Sequence, residues 1–80
     1  MFTMVIKKPS IFIIDELINR IINNKNKFST YEDGNIRYIL VYSNKEKCLN
    51  VFGIFGYYSK LFYSIKFKDL KKELQEVLKC

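Results

Sequence analysis

The chain contains no histidine, which removes the commonest general base and a frequent metal ligand. Its two cysteines, Cys48 and Cys80, therefore have no histidine to activate them as nucleophiles. Adjacent acidic residues occur on a predicted helix surface and in a predicted turn, and neither arrangement resembles a positioned acid–base pair. We therefore expect a protein that is not an enzyme and that binds no metal.

Glycine is also scarce, with three residues in the chain. Gly53 and Gly56 fall in or beside a predicted strand, and neither is followed by the Lys-Ser or Lys-Thr pair of a phosphate-binding loop. The sequence therefore predicts no nucleotide or other cofactor.

Two cysteines are too few for a disulfide framework. No apolar run in the sequence approaches the roughly 20 residues that span a membrane. Lysines followed by apolar residues near the N-terminus have the order of a signal peptide. However, Pro9 and Ser10 interrupt this stretch, and the acidic pair Asp15-Glu16 ends it before any small-residue cleavage site. We expect a cytoplasmic protein without a membrane partner.

Alanine and tryptophan are absent, whereas isoleucine, asparagine, lysine, phenylalanine and tyrosine are abundant. AT-rich codons encode these abundant residues, which indicates a low-GC bacterium, its phages or plasmids, a virus or a protozoan as the source. The net charge of +6 favours nucleic acid, an anionic membrane surface or an acidic protein patch as partner. AAA-rich coding can by itself account for the basic composition, so the charge does not choose among these partners.

Apolar residues recur at helical spacing before the Asn/Lys-rich segment Asn23–Lys27. Pro9 and Ser10 form a suitable helix entry, and acidic residues near the start suit the positive end of the helix dipole. The pattern predicts a helix from about Ser10 to Asn23. Its apolar stripe consists of Ile11, Ile14, Leu17, Ile18, Ile21 and Ile22.

From Phe28 to Phe67 the period changes to that of β-strands. The turn at 32–35 contains Asp-Gly, which can supply the positive φ values of a tight hairpin, and further breaks follow at 43–47 and 56–58. Four strands in an antiparallel meander are therefore predicted, at 27–31, 36–43, 48–55 and 59–67. Met1 to Lys7 can add an edge strand.

The last segment returns to helical spacing, with Asp69 as the predicted N-cap. Its apolar stripe consists of Leu70, Leu74, Val77 and Leu78. The order of elements is then α-β-β-β-β-α. Segregated helices and an antiparallel sheet predict a single two-layer α+β domain over residues 1–80, with both helices on one face of the sheet.

Strand alternation assigns the side chains of the sheet to two faces. On the last strand, one row is entirely apolar and is expected to lie under the helices; it consists of Leu61, Tyr63, Ile65 and Phe67. The second strand leaves the inner row open between Tyr38, Leu40 and Tyr42 and the alternate row Arg37, Ile39, Val41 and Ser43. The outward set mixes basic and large apolar residues and consists of Arg37, Phe52, Ile54, Lys60, Phe62 and Lys66.

This outward set admits several interpretations. Aromatic rings interleaved with basic residues can stack bases and contact phosphates, as in single-stranded nucleic-acid binding. The same residues can form the hot spot of a protein interface or a homodimer contact. Alternatively, Met1 to Lys7 or a loop folds across the face and buries it.

A second basic feature surrounds the start of the final helix and consists of Lys66, Lys68, Lys71 and Lys72. Cations at a helix N-terminus oppose the helix dipole, so helix stability does not explain them. They can form an anion site, or they can be a solvated turn offset by Asp69, Glu73 and Glu76.

These features lead to an expectation of function. We expect a small, non-catalytic binding protein of phage or mobile-element origin that inhibits or regulates a host nucleic-acid-processing protein or nucleoprotein complex, as anti-CRISPR and other anti-defence proteins do. The alternative is direct nucleic-acid binding through the basic-aromatic sheet face, and a homodimer subunit is a third interpretation.

Overall fold

The computed structural model describes residues 5–79 and confirms the order α-β-β-β-β-α of an α+β fold. The elements are helix α1 (Ile11–Asn24), strands β1 (Phe28–Asp33), β2 (Ile36–Ser43), β3 (Cys48–Phe55) and β4 (Tyr58–Lys66), a short 3-10 helix (Phe67–Asp69) and helix α2 (Lys72–Lys79). The four strands form one antiparallel meander in the order β1-β2-β3-β4.

Glycine begins each of the two tight hairpin turns. Gly34 has a φ of 62° between β1 and β2, and Gly56 has a φ of 59° between β3 and β4. Positive φ values cost glycine little conformational free energy because it has no Cβ. The loop between β2 and β3 is longer, and Lys47 takes a φ of 56° there while its N–H donates to the Ser43 carbonyl at 2.8 Å.

Helix α1 begins and ends with local hydrogen bonds. The Ser10 hydroxyl accepts from the N–H of Ile13 at 3.3 Å, and Lys25 in the left-handed conformation donates its N–H to the Ile21 carbonyl. The buried positions on α1 are Ile13, Leu17 and Ile21. Ile11 is 78 % exposed, so its predicted place on the buried stripe was wrong. Residues four positions apart lie on one face of a helix, so Ile13 faces the sheet together with Leu17, whereas Ile11 points to another side.

Both helices pack on the same face of the sheet, as predicted. The fully or almost fully buried core joins side chains from both helices and from the two central strands: Ile13, Leu17, Ile21, Tyr38, Leu40, Leu49, Val51, Leu74 and Leu78. The row containing Tyr38 and Leu40 is therefore the inner row of β2, which decides the alternative that the sequence left open.

Asp69 does not cap α2, contrary to the sequence prediction. It lies in the 3-10 helix, and Leu70 then adopts an extended conformation that separates this turn from α2. The Gln75 side-chain amide reaches back and donates to the Phe67 carbonyl at 2.8 Å. This contact holds α2 against the 3-10 helix that follows β4.

Residues 5–10 have no regular secondary structure and pack on the helix-bearing face. Ile6 and Pro9 are buried, and the Tyr38 hydroxyl donates to the Lys7 carbonyl at 2.5 Å. Burial raises the pKa of the Tyr38 phenol, and the nearby Asp33 carboxylate raises it further. The predicted edge strand is not formed by residues 5–7, and its first part lies outside the described residues. The described part of this segment covers the face opposite to the one it was suggested to bury.

Strand β4 contains a β-bulge that reverses part of the predicted face assignment. Val51 pairs with Tyr63 but Phe52 pairs with Leu61, so Phe62 is an extra residue on β4. A bulge inserts one residue and shifts the alternation beyond it. Leu61 is consequently 51 % exposed on the face opposite to the helices, and Phe62 packs against the core. The predictions of an inward Leu61 and an outward Phe62 were therefore wrong.

The bulge also moves Lys60. It pairs with Gly53, whose missing side chain would point at Ile6, Phe62 and Tyr38 on the helix-bearing face. The Lys60 ammonium accordingly lies 5.4 Å from the centre of the Phe62 ring. Beyond the bulge the prediction holds, because Tyr63 and Ile65 pair with the buried Val51 and Leu49.

The outer side of β1 is contacted by Arg20 from α1. Its guanidinium donates to the Thr30 carbonyl at 2.6 Å and to the Glu16 carboxylate at 3.2 Å. It also lies 5.1 Å from the centre of the Tyr31 ring. Arg20 thus joins the helix to the edge strand through two groups, the Thr30 carbonyl and the Tyr31 ring, while Glu16 holds the guanidinium from within α1.

Candidate functional site

The sheet face opposite to the helices, here called the open face, is the main candidate site. Both helices and residues 5–9 pack on the other face. Directly paired residues in an antiparallel sheet share a face, so the register defines the rows of side chains on the open face. Across the strands, these rows are Phe28–Val41–Asn50–Ser64, Thr30–Ile39–Phe52–Leu61, Glu32–Arg37–Ile54–Ser59 and Ser43–Cys48–Lys66.

A band of large apolar side chains crosses the open face from β1 to β4. At its two ends, Phe28 is 56 % exposed and Leu61 is 51 % exposed. Between them lie the half-buried side chains of Ile39, Val41, Phe52 and Ile54. The solvated face of an antiparallel sheet is ordinarily polar, so this band makes the open face a candidate interaction surface.

Charge on the open face is sparse and largely balanced. The Arg37 guanidinium donates to Glu32 Oε1 through Nη2 at 2.7 Å and through Nε at 3.1 Å, across the β1–β2 pair. Lys66 lies at the other end of the face, beside Cys48. The apolar band therefore lies between a paired arginine and a single lysine.

The structure separates the binding residues that the sequence predicted to act together. Arg37, Phe52 and Lys66 lie on the open face, whereas Lys60 and Phe62 lie on the helix-bearing face because of the bulge. The remaining lysines surround the connection to α2: Lys68 belongs to the 3-10 helix, Lys71 precedes α2 and Lys72 is its first residue. The predicted basic-aromatic surface is thus not one continuous surface.

Sequence reasoning missed part of the apolar band. Ile39 and Val41 belonged to the alternate row of β2 that the sequence left open. Leu61 was assigned to the core because nothing in the alternation of β4 reveals the bulge. Phe28, at the start of β1, was not assigned to either face.

The hairpin turns extend the open face at one end. The Tyr57 side chain in the β3–β4 turn is fully exposed, whereas Tyr58 pairs with Phe55 outside the rows of the open face. Between the two glycine turns lies a shallow depression lined by Glu32, Gly34, Asn35, Ile36, Arg37, Ile54 and Gly56. The Glu32–Arg37 pair therefore borders the apolar band at this end.

The described part of the chain offers little for metal or thiol chemistry. Residues 5–79 contain no group of three or more histidine, cysteine and acidic side chains arranged to hold a metal. Cys48 is half-buried, and its thiol lies 3.3 Å from the Glu46 carbonyl oxygen. Cys80 lies outside the described residues. Neither of the two α-helices described has the length and apolar content of a membrane-spanning segment.

Comparison of the chain with protein-family models, curated proteins and solved structures finds no match. Its function is therefore inferred from the geometry of its own surfaces.

Proposed function

We propose that this chain is a non-catalytic binding protein that docks on a partner protein through the open face. The observation that carries the proposal is the apolar band, which crosses all four strands and ends in the more than half-exposed side chains of Phe28 and Leu61. Interfaces place apolar and aromatic anchors at their centre and polar groups at their rim. Phe52 lies inside the band, and Thr30, Asn50 and Ser64 supply polar groups around it.

The composition of the open face favours a protein over nucleic acid as the ligand. Phosphate binding depends on several unpaired cations. The Arg37 charge is already paired with Glu32, and Lys66 stands at one end of the face. Most of the band is aliphatic, and aliphatic side chains do not offer the ring faces on which bases stack. Direct nucleic-acid binding through this face is accordingly the weaker alternative.

For the biological role, we propose stoichiometric regulation or inhibition of a host nucleic-acid-processing protein by a phage or mobile-element product. Two sequence properties support this role: a composition rich in amino acids that AT-rich codons encode, and the lack of histidine. A protein that regulates by occupying a surface needs a docking face and no catalytic group. The open face meets that requirement.

The test compares capture of a partner by the wild-type chain and by two variants. Leu61→Glu places a charge inside the band, and Ile11→Glu places the same charge on an exposed aliphatic position of α1. We expect a partner from a low-GC bacterial lysate to be retained after nuclease treatment by the wild type and by Ile11→Glu. Leu61→Glu should lose it, because an unpaired charge in a desolvated interface is costly.

Three results would contradict the proposal. The first is equal capture by Leu61→Glu and Ile11→Glu when both variants melt like the wild type. The second is loss of all captured material on nuclease treatment, which would favour nucleic acid. The third is a wild-type homodimer in sedimentation experiments that Leu61→Glu dissociates, which would assign the band to a second copy of the chain.

A further inference from the structure

A groove lined by lysines lies at the end of the sheet where β2 leads into β3. It consists of two depressions that share Lys47 and Phe67: one lies beside Cys48 and Lys66 of the open face, and the other lies beside Tyr42 and Leu78 on the helix-bearing side. One is lined by Glu46, Lys47, Cys48, Lys66, Phe67 and Lys68, and the other by Tyr42, Asn44, Lys47, Phe67, Leu78 and Lys79. We call the combined feature the lysine groove.

Three separate segments bring the lysines of the groove together. Lys47 comes from the β2–β3 loop, Lys66 and Lys68 from the end of β4 and the 3-10 helix, and Lys79 from the last turn of α2. The N–H of Phe67 donates to the Lys47 carbonyl at 2.9 Å and so ties the loop to the 3-10 helix. Sequence spacing does not reveal this convergence.

The charge of the groove is poorly balanced. Glu46 is the one acidic residue in its lining, against four lysines. The Arg20–Glu16 and Arg37–Glu32 ion pairs involve no lysine of the groove. Cations gathered in a concave site create a positive potential that attracts an anion.

The depression on the helix-bearing side has an apolar floor. The Phe67 ring packs against Tyr42, with 5.9 Å between the ring centres, and Leu78 lies beside them. Lysines next to aromatic and aliphatic groups suit a ligand that combines phosphates with planar bases. A duplex presents its phosphates outward with the bases stacked inside, so it would leave this floor unused.

We propose that the lysine groove binds the phosphate backbone of single-stranded nucleic acid. Each of the four lysines, Lys47, Lys66, Lys68 and Lys79, neutralises a phosphate, and the floor at Phe67 contacts a base or sugar. Cys48 and Lys66 line the groove and also belong to the open face, but neither lies in the apolar band, so the groove can be tested separately from the proposed docking function. A partner that handles nucleic acid could occupy both surfaces at once.

The test measures the affinity of the purified chain for a labelled oligodeoxythymidylate by fluorescence anisotropy over a series of salt concentrations. With four phosphates neutralised, the slope of log affinity against log salt should be roughly −3, since each single-strand contact contributes about −0.7. The double variant Lys68→Gln, Lys79→Gln should reduce the slope to about −1.5. The single variant Lys68→Gln should reduce it by about 0.7, which keeps the test valid if the double variant does not fold.

The matched control is the double variant Lys7→Gln, Lys60→Gln, which removes the same charge from exposed lysines outside the groove. It should keep the wild-type slope. Leu61→Glu should also keep it, so failure of the docking function and failure of the groove are distinguishable.

Four results would overturn the proposal. They are no measurable affinity for the oligonucleotide at low salt, equal losses in the groove variant and the control, tighter binding to a duplex of the same length, and tighter binding to phosphatidylglycerol vesicles or polyglutamate. The first result removes nucleic acid as ligand, and the second attributes binding to net charge. The last two assign the groove to another class of partner.

Discussion

Replacement of Gly53 by alanine tests the inward position of Phe62 directly. A Cβ at this position would lie 2.8 Å from Ile6 Cγ2, 2.8 Å from Phe62 Cε2 and 3.4 Å from Tyr38 Cε1. Carbon atoms pack best at about 3.5–4.0 Å, so Ile6 and Phe62 must each retreat by about 0.7 Å or more. Overfilling a packed site typically costs about 1–3 kcal/mol.

Part of this cost is offset, because glycine in a strand is itself less stable than alanine by roughly 0.5–1 kcal/mol. We therefore expect Gly53→Ala to lower the free energy of unfolding by about 1–2 kcal/mol, which lowers the Tm by about 4–16 °C in a domain of this size. Thermal melts followed by circular dichroism and denaturant titrations measure both quantities.

A double-mutant cycle identifies the cause of the loss. In a Phe62→Leu background the side chain no longer reaches the Cβ, so Gly53→Ala should cost at least about 0.5 kcal/mol less than in the wild type. Gly34→Ala is the control: it meets no atom within 4 Å but has a φ of 62°, so its cost is conformational and should be the same in both backgrounds. A Gly53→Ala protein as stable as the wild type would show that Phe62 and Ile6 do not pack there.

Two further predictions concern the side chains of β4 and the Tyr38 phenol. Phe62→Ala should destabilise the protein by about 3 kcal/mol or more, whereas Leu61→Ala, on the open face, should cost less than about 1 kcal/mol; the reverse order in chemical denaturation would place Leu61 in the core. Because the Tyr38 pKa is raised above its ordinary value of 10.0, the folded state holds the proton more tightly, so stability should fall as the pH rises above 10.0. Tyr38→Phe should remove the part of this loss of stability that is due to the phenol. Denaturant titrations at about pH 8 and about pH 11 measure the loss, and an equal loss in the variant and the wild type would contradict the assignment.

The sequence predicted the elements well because their signals are local. The helical stripe around Leu17 and the glycines at the hairpin turns each act within a few residues, and they are sufficient to specify the meander and the helices. Exact caps were less predictable: Asp69 resembles an N-cap, but Leu70 extends the chain before α2 begins.

The candidate site was harder to predict because it depends on the pairing of distant residues. Strict alternation along β4 places Phe62 outward, and one extra residue opposite β3 is enough to reverse Leu61 and Phe62. The lysine groove depends on Lys47 and Lys79 lining the same depression, which no spacing in the sequence encodes. The sequence shows the residue types that form interfaces, but it does not show on which surface each residue lies.

The bulge in β4 has a consequence for how the protein avoids self-assembly. An open sheet exposes unpaired backbone groups on both outer strands, and such edges can add strands from other molecules without limit. Here the bulge at Phe62 interrupts the regular spacing along one edge, and the Arg20 guanidinium occupies the Thr30 carbonyl on the other. Fibrous growth through either edge is therefore discouraged, and the molecule can present an apolar sheet face to a partner without becoming a template for amyloid-like stacking.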